Sequence, residues 1–422
     1  TTALSAIGAA VMALSYPIYL YKLGYEQYGL WLTISIVIAF SQLGNLGISQ
    51  AAAKHVAEEY GRGDIFAVKE CFTSATLAAT AIGVVIAGIL LCTQPLILSA
   101  LGLKGSAIAE AAVLLPGVIF LSIYIFIADI SNQLLSGLGR MDLCMGCQTA
   151  TQVTALVLSI ALLLVKPGIA ALLIANIVAY IFIHILSLIL STRVLGVFPL
   201  AISRFRLRRV RELLDFGGWV FGSTLLNLLL NPVNKALLAR FGGLSMVPLY
   251  DIGYNSCMRA RALLESAQRS LMAEVSRTQS SRIPGFADRI RRLSKRSHLL
   301  ALAAAPLFVL LFVLAEPLLR LWLRSRFVPS LTLCVQIMCV GAFFSLLGTP
   351  GYYILLGLGH SRAVFFANVL QTGINLIAVL LIVGMTHTLS ASMALSTATI
   401  GIIIATGYLF WRQHRAVCEV TG

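Results

Sequence analysis

One apolar stretch, near residues 246–270, holds Asp251, Arg259 and Arg261. A charged side chain at the centre of a bilayer costs about 3 kcal/mol or more, so each of these needs a partner, a wet cavity or a route to the interface. On a helix, Asp251 and Arg259 lie about 80° apart and Arg259 and Arg261 about 200° apart, so the two arginines cannot face one opening. An arginine keeps its proton when partly buried, and its planar fork grips phosphate oxygens. Arg259 is therefore read as the cation of a substrate cavity, with Arg261 left to snorkelling, pairing or a second face. The competing reading for both is an ion pair between helices or a head-group contact.

A second constellation lies just upstream. Asn227, Asn231 and Asn234 fall at i, i+4 and i+7, with Lys235 beside the last and Pro232 interrupting the backbone ladder. Such a stripe offers amide donors and acceptors to sugar hydroxyls, or else packs helices together. Asp129, Asn132 and Gln133 share a side of another stretch; Asp129 is read as a charge partner or a carrier of a coupling proton, with a plain ion pair as the equal alternative. Asn45, Ser49 and Gln50, with Gly44 and Gly47, suggest close helix contact first and substrate contact second, and Asn368, Gln371 and Asn375 read as packing. The candidate cavity set is thus Arg259, Asn227, Asn231, Lys235, Asp251, Asn45, Gln50 and Gln133.

Signatures of bond-making chemistry are lacking. The sequence has no HExxH, GxxxxGK[ST] or GxSxG, and its histidines (His55, His184, His298, His360, His387 and His414) are scattered. Cys144 and Cys147 form a CxxC without a second pair, which reads as buried small hydrophobes rather than a metal site. The expectation is a transporter, not an enzyme, with no metal or cofactor, driven by H+ or Na+, by the substrate's own gradient or by a separate protein.

The elements that must hold these residues are membrane spans. No Asp, Glu, Lys or Arg occurs from Gln27 to Ala53, Cys71 to Leu103, Leu143 to Val165, Pro167 to Thr192, Phe327 to Ser361 or Ala363 to Trp411. Each interval accommodates the roughly 20 residues that cross a bilayer. Across 422 residues, 59% hydrophobic content, 11% charged residues and a mean hydropathy of +0.92 rule out an ordinary soluble domain. The net charge of +15 sits mostly between spans, which points to topology and anionic lipid rather than nucleic acid. Helices are expected near 3–21, 27–50, 67–93, 107–135, 142–165, 168–190, 213–238, 246–270, 296–322, 331–357, 361–384 and 390–411. The first is expected to be a retained span rather than a cleaved signal, in a chain that starts slightly after its native beginning.

Of the 31 Lys and Arg residues, 21 fall in even-numbered connections or at the C-terminus and 8 in odd ones. In a bacterial inner membrane, the localisation expected for this chain, that bias places both termini in the cytoplasm. Leu134–Arg140 (LLSGLGR) and Ile354–His360 (ILLGLGH) repeat at an offset of 220 residues, and AEEY from Ala57 weakly matches AEVS from Ala273. An even number of helices separates them, so the repeat predicts two six-helix bundles of like orientation around a central cavity. The boundary is placed between 1–200 and 201–422.

With this layout, the segment Leu23–Asp64 (LGYEQYGLWLTISIVIAFSQLGNLGISQAAAKHVAEEYGRGD) and the ending Gln133–Arg140 (QLLSGLGR) resemble bacterial oligosaccharide flippases. These belong to a superfamily that includes multidrug and toxin extruders and lipid II flippases. The resemblance implies an all-α fold that rocks between inward-open and outward-open forms. It also implies movement of undecaprenyl-pyrophosphate-linked oligosaccharides to the periplasmic leaflet for O-antigen, capsule or exopolysaccharide. On that view Arg259 meets pyrophosphate and Asn227 and Asn231 meet sugars, in a monomer that works among membrane lipids beside a polysaccharide polymerase. An ion-coupled drug or small-solute exporter, a lipid II flippase and a non-transporting scaffold are the alternatives.

Overall fold

The computed structural model describes residues 2–42, 47–265, 286–358 and 360–421, with side chains except at 2–6, 9, 12, 40–42, 202, 214–229, 286–290, 361 and 417–421. All regular structure among them is helical. Two compact units are present, Thr1–Arg240 and Phe241–Gly422, so residues 201–240 group with the first unit, whereas the sequence repeat suggested a division after 200.

The first unit comprises α1 (Thr2–Ile34), α2 (Ile36–Gln42), α3 (Ile48–Gly61), α4 (Ile65–Cys92), α5 (Gln94–Ala100), α6 (Ser106–Gly137), α7 (Met141–Val165), α8 (Ile169–Leu195) and α9 (Leu207–Phe241), whose last residue crosses the boundary. The second continues with α10 (Met246–Glu265), α11 (Phe286–Leu302), α12 (Ala305–Val313), α13 (Ala315–Leu323), α14 (Pro329–Gly357), α15 (Ser361–Thr386) and α16 (Ala391–Thr421).

Eight described helical stretches are long and apolar enough to cross a membrane, one of them running from α11 into α12, and they coincide with expected spans three to six and nine to twelve. The other four expected spans lie on α1 to α3, α9 and α10. Differences are local. Gly24, at φ 76° and ψ 177°, bends α1 where two separate helices were expected. Expected span 27–50 ends early, because Gly47 at φ 73° starts a new helix that runs on to Gly61. Both glycines occupy backbone conformations that side-chain-bearing residues resist.

Packing follows the inverted logic of a bilayer, with oil outside and small polar groups within. On α8, Ile174, Val178, Phe182, Ile185 and Ile189 are exposed at helical spacing, whereas Ser187 and Ser191 are fully buried. The core of the first unit joins Ile48, Val56, Phe72, Phe126, Ile130 and Leu134 from α3, α4 and α6. Its counterpart in the second joins Ile354, Leu355, Val364, Ala367 and Leu409 from α14, α15 and α16. Asn375 is buried there, accepting from Thr397 Oγ1 at 3.0 Å, so the C-terminal end of the Asn368, Gln371 and Asn375 stripe binds helix to helix.

Candidate functional site

Helix α10 is broadly apolar near its start, and its charges point to different sides, so each meets a different environment. Asp251 is 3% exposed and accepts from Asn255 Nδ2 at 2.9 Å, one turn along. Tyr250 and Tyr254 stack beside it with centroids 5.9 Å apart. Cys257 packs its sulfur 3.6 Å from that of Cys339 on α14.

The two arginines then part ways. Arg261 Nη2 lies 3.2 Å from Glu265 Oε2, with side chains 21% and 16% exposed, and Glu265 also accepts from the Tyr353 hydroxyl at 2.8 Å. Arg259 is exposed and makes no hydrogen bond or ion pair to a described residue. One guanidinium is committed to the packing of α10 against α14; the other spends none of its five N–H donors on a described residue.

Of the amide stripe on α9, Asn234 is fully buried and Asn231 and Lys235 are half-buried. The Asn227 side chain and residue Asn45 lie outside the described residues. Gln50, on α3, is exposed.

Asp129 sits on the inner face of α6, where the side chains of Ser49 on α3 and Gln133 one turn along hydrogen-bond to it. On its other side it lines a cavity of about 320 Å³ between α6, α7 and α8, with Asn132, Gln148, Thr151, Gln152 and Tyr180. No Lys or Arg lines that cavity among the described residues. The Asn132 Oδ1 is buried there without a partner among the described residues. Sequence reading named Asp129, Asn132 and Gln133 but passed over Gln148 and Gln152, although their i, i+4 spacing puts both on one face of α7. Cys144 and Cys147 are buried beside Leu135 and Ile183.

A charged cluster at the start of α9 was also missed as a unit. Arg209 Nη2 lies 3.0 Å from Glu59 Oε1, Nη1 3.1 Å from Glu212 Oε2 and Nε 3.4 Å from Glu70 Oε1. The backbone N–H of Ala201 donates to Thr73 Oγ1 and that of Arg206 to Ser74 Oγ, each at 3.0 Å. The basic run RFRLRRVREL, Arg204 to Leu213, is thus tied to α3 and α4.

The model of the family described as "Polysaccharide biosynthesis protein" matches residues 23–332. This chain belongs to that family. No curated protein matches it in sequence. Among solved structures it resembles the lipid II flippase MurJ in an inward closed conformation, at 16% identity and TM-score 0.74, over 97% of this chain and 87% of that one. It also resembles an inward-facing multidrug resistance MATE family transporter of the MOP superfamily, at 14% identity and TM-score 0.68, over 100% and 96% of the two chains. A MATE transporter from Vibrio cholerae gives 17%, 0.68, 99% and 95% by the same measures. At these identities the likeness establishes the fold, which is that of MATE transporters and MurJ.

Proposed function

We propose that this polysaccharide biosynthesis protein is a flippase, not an enzyme, that carries oligosaccharide repeat units linked to undecaprenyl pyrophosphate from the cytoplasmic to the periplasmic leaflet by alternating access. The product feeds O-antigen, capsule or exopolysaccharide assembly. The observation that carries the reading is the contrast on α10, where Arg261 pairs with Glu265 while Arg259 is exposed and bonds to no described residue. A pyrophosphate and a string of hydroxylated sugars need a replacement for their water shell, and charge-assisted hydrogen bonds from a guanidinium supply it. Asp251, held by Asn255, shapes α10 rather than touching cargo.

Asp129 is the proposed coupling group. A carboxylate in a cavity without a lining Lys or Arg is balanced by a proton or a sodium ion, and the neutral oxygens of Asn132, Gln148 and Thr151 suit either. The protein works as a monomer in the bacterial inner membrane, both termini cytoplasmic, and hands its cargo to a polysaccharide polymerase.

The test is leaflet-specific labelling of a lipid-linked oligosaccharide in vesicles. Vesicles containing the protein are expected to expose the glycan to an external reagent far faster than empty ones. Equal rates, with protein-dependent movement of a cationic dye instead, would replace the flippase reading with drug export.

A further inference from the structure

A groove of about 430 Å³ opens between α11 and α16 in the second unit. Helix α11 contributes Arg291, Ser294, Lys295 and His298, and α16 contributes Phe410, Gln413 and His414. No acidic side chain lines it among the described residues. Gln413, 4% exposed, donates from Nε2 to Ser294 Oγ at 2.6 Å, which leaves the Ser294 hydroxyl proton for an acceptor in the groove. His298 Nδ1 lies 2.8 Å from the Ser294 carbonyl oxygen, which can only accept, so Nδ1 carries the proton. The other ring nitrogen, Nε2, is buried without a partner among the described residues.

The surroundings of the groove identify its guest as an amphiphile. Arg291 and Lys295 stand one turn apart on α11, and Leu299 and Leu302 continue the same face one and two turns further on, within an arc of about 80°. Those leucines are 54% and 50% exposed. Cations at one end of a face and bare leucines at the other match a phosphate head group with its acyl chain, whereas a free phosphate has no use for the leucines. On α16, Phe410 precedes His414 by one turn, and Trp411 lies under the guanidiniums of Arg415 and Arg412, with centroid distances of 4.3 and 5.8 Å. An exposed tryptophan capped by arginines is the pattern of the head-group layer, which sets the depth of the groove.

We infer that the α11–α16 groove binds the phosphate head group of an anionic phospholipid, with Arg291, Lys295 and the Ser294 hydroxyl on the phosphate and Leu299 and Leu302 along the chain. The site is separate from the proposed path of the glycan carrier and does not depend on that reading. The full-length protein in neutral detergent is titrated with phosphatidylglycerol and bound lipid is counted by native mass spectrometry. The double variant Arg291→Gln/Lys295→Gln is expected to bind about thirtyfold more weakly, roughly fivefold per cation removed. Arg291→Lys/Lys295→Arg keeps the charge and should bind as the native chain does, which separates loss of the site from misfolding. Arg324→Gln/Arg326→Gln, which removes the same charge elsewhere, should also bind normally. Unchanged affinity in the first variant, or an equal loss in the last, overturns the site. Displacement of the lipid by equimolar inorganic phosphate overturns the lipid assignment.

Discussion

Replacing Arg259 and Arg261 by alanine should damage the protein in two different ways. The Arg261–Glu265 pair spans 3.2 Å with both side chains mostly covered. At an effective dielectric of about 20, Coulomb attraction at that distance is about 5 kcal/mol. Partial solvent access and the desolvation cost reduce its net value to about 1–3 kcal/mol. Arg261→Ala leaves the Glu265 carboxylate with the Tyr353 hydroxyl but without its cation, so unfolding free energy should fall by about 2 kcal/mol. Adding Glu265→Gln, which removes the stranded charge and keeps an oxygen for Tyr353, should recover most of that loss. Arg259, exposed and unengaged by described residues, should change stability by less than about 0.5 kcal/mol when truncated. Its loss should instead slow flipping about 10- to 100-fold, the equivalent of the roughly 1.5–3 kcal/mol carried by a charged hydrogen bond. Thermal unfolding in detergent reads the first effect and leaflet-specific labelling in vesicles the second. A stable Arg259→Ala protein that flips at the native rate, beside a stable Arg261→Ala protein that does not, would refute the assignment.

Three other perturbations test separate parts of the structure. Arg209→Ala strands Glu59, Glu70 and Glu212 and should cost about 2 kcal/mol at neutral pH after allowance for solvent screening. Burial acts to raise the Glu212 carboxyl, but hydrogen bonds from Arg209 and Arg208 outweigh it and hold its pKa below the ordinary 4.5. The stabilisation is therefore complete above about pH 4.5 and is lost as pH falls through the lowered value, so the difference between native and Arg209→Ala unfolding temperatures should shrink in acid; a constant gap counts against the cluster. Gly137→Ala would place a Cβ 2.7 Å from the Ala53 carbonyl oxygen and 2.8 Å from Val56 Cγ1, forcing α3 and α6 apart at a cost of about 1–3 kcal/mol, seen as a lower unfolding temperature. Asp129→Asn keeps an acceptor for Ser49 and Gln133 but removes the charge, so the protein should fold normally and flip at a slow rate that no longer responds to pH or sodium. A native response in that variant would move coupling elsewhere.

Spans were legible wherever a charge-free interval was bounded by charges. Expected 67–93 and 107–135 correspond to Ile65–Cys92 and Ser106–Gly137 within two residues. What hydropathy could not resolve were breaks inside oil. Expected 296–322 is three helices, α11 to α13, because Pro306 and Pro317 each fall near the start of a new one and a leucine-rich window hides the joints. At the site, the Arg261–Glu265 pair was readable from i, i+4 spacing. Its anchor Tyr353 lies 88 residues away and only tertiary packing brings it there. How Arg261 and Glu265 are anchored thus depends on a contact that no local pattern encodes.

The internal repeat explains how a symmetrical frame acquires an asymmetric task. The two GLG endings terminate their helices alike: Leu138 N–H bonds to Leu134 O and Leu358 N–H to Ile354 O, both at 2.9 Å, while Arg140 N–H reaches Leu135 O at 2.9 Å and His360 N–H reaches Leu355 O at 2.8 Å. A signal overlooked in the sequence strengthens the case. Gln94-Pro95-Leu96 and Glu316-Pro317-Leu318 stand 222 residues apart, and each opens a short helix, α5 or α13, after the third span of its half. Chemistry departs from that symmetry. Helix α10 carries Asp251, Arg259, Arg261 and Glu265, whereas Gln27–Ala53, which spans the second expected helix of the first half, holds no charge. Conversely, the repeat offset pairs Asp129 on α6 with Thr349 on α14, which carries no charge. Shared cap and break geometry is what a common fold requires of both halves. Arg259 in one half and Asp129 in the other are not required by folding, and both are costly in oil, which is the reason the proposed function gives cargo to the first and the coupling ion to the second.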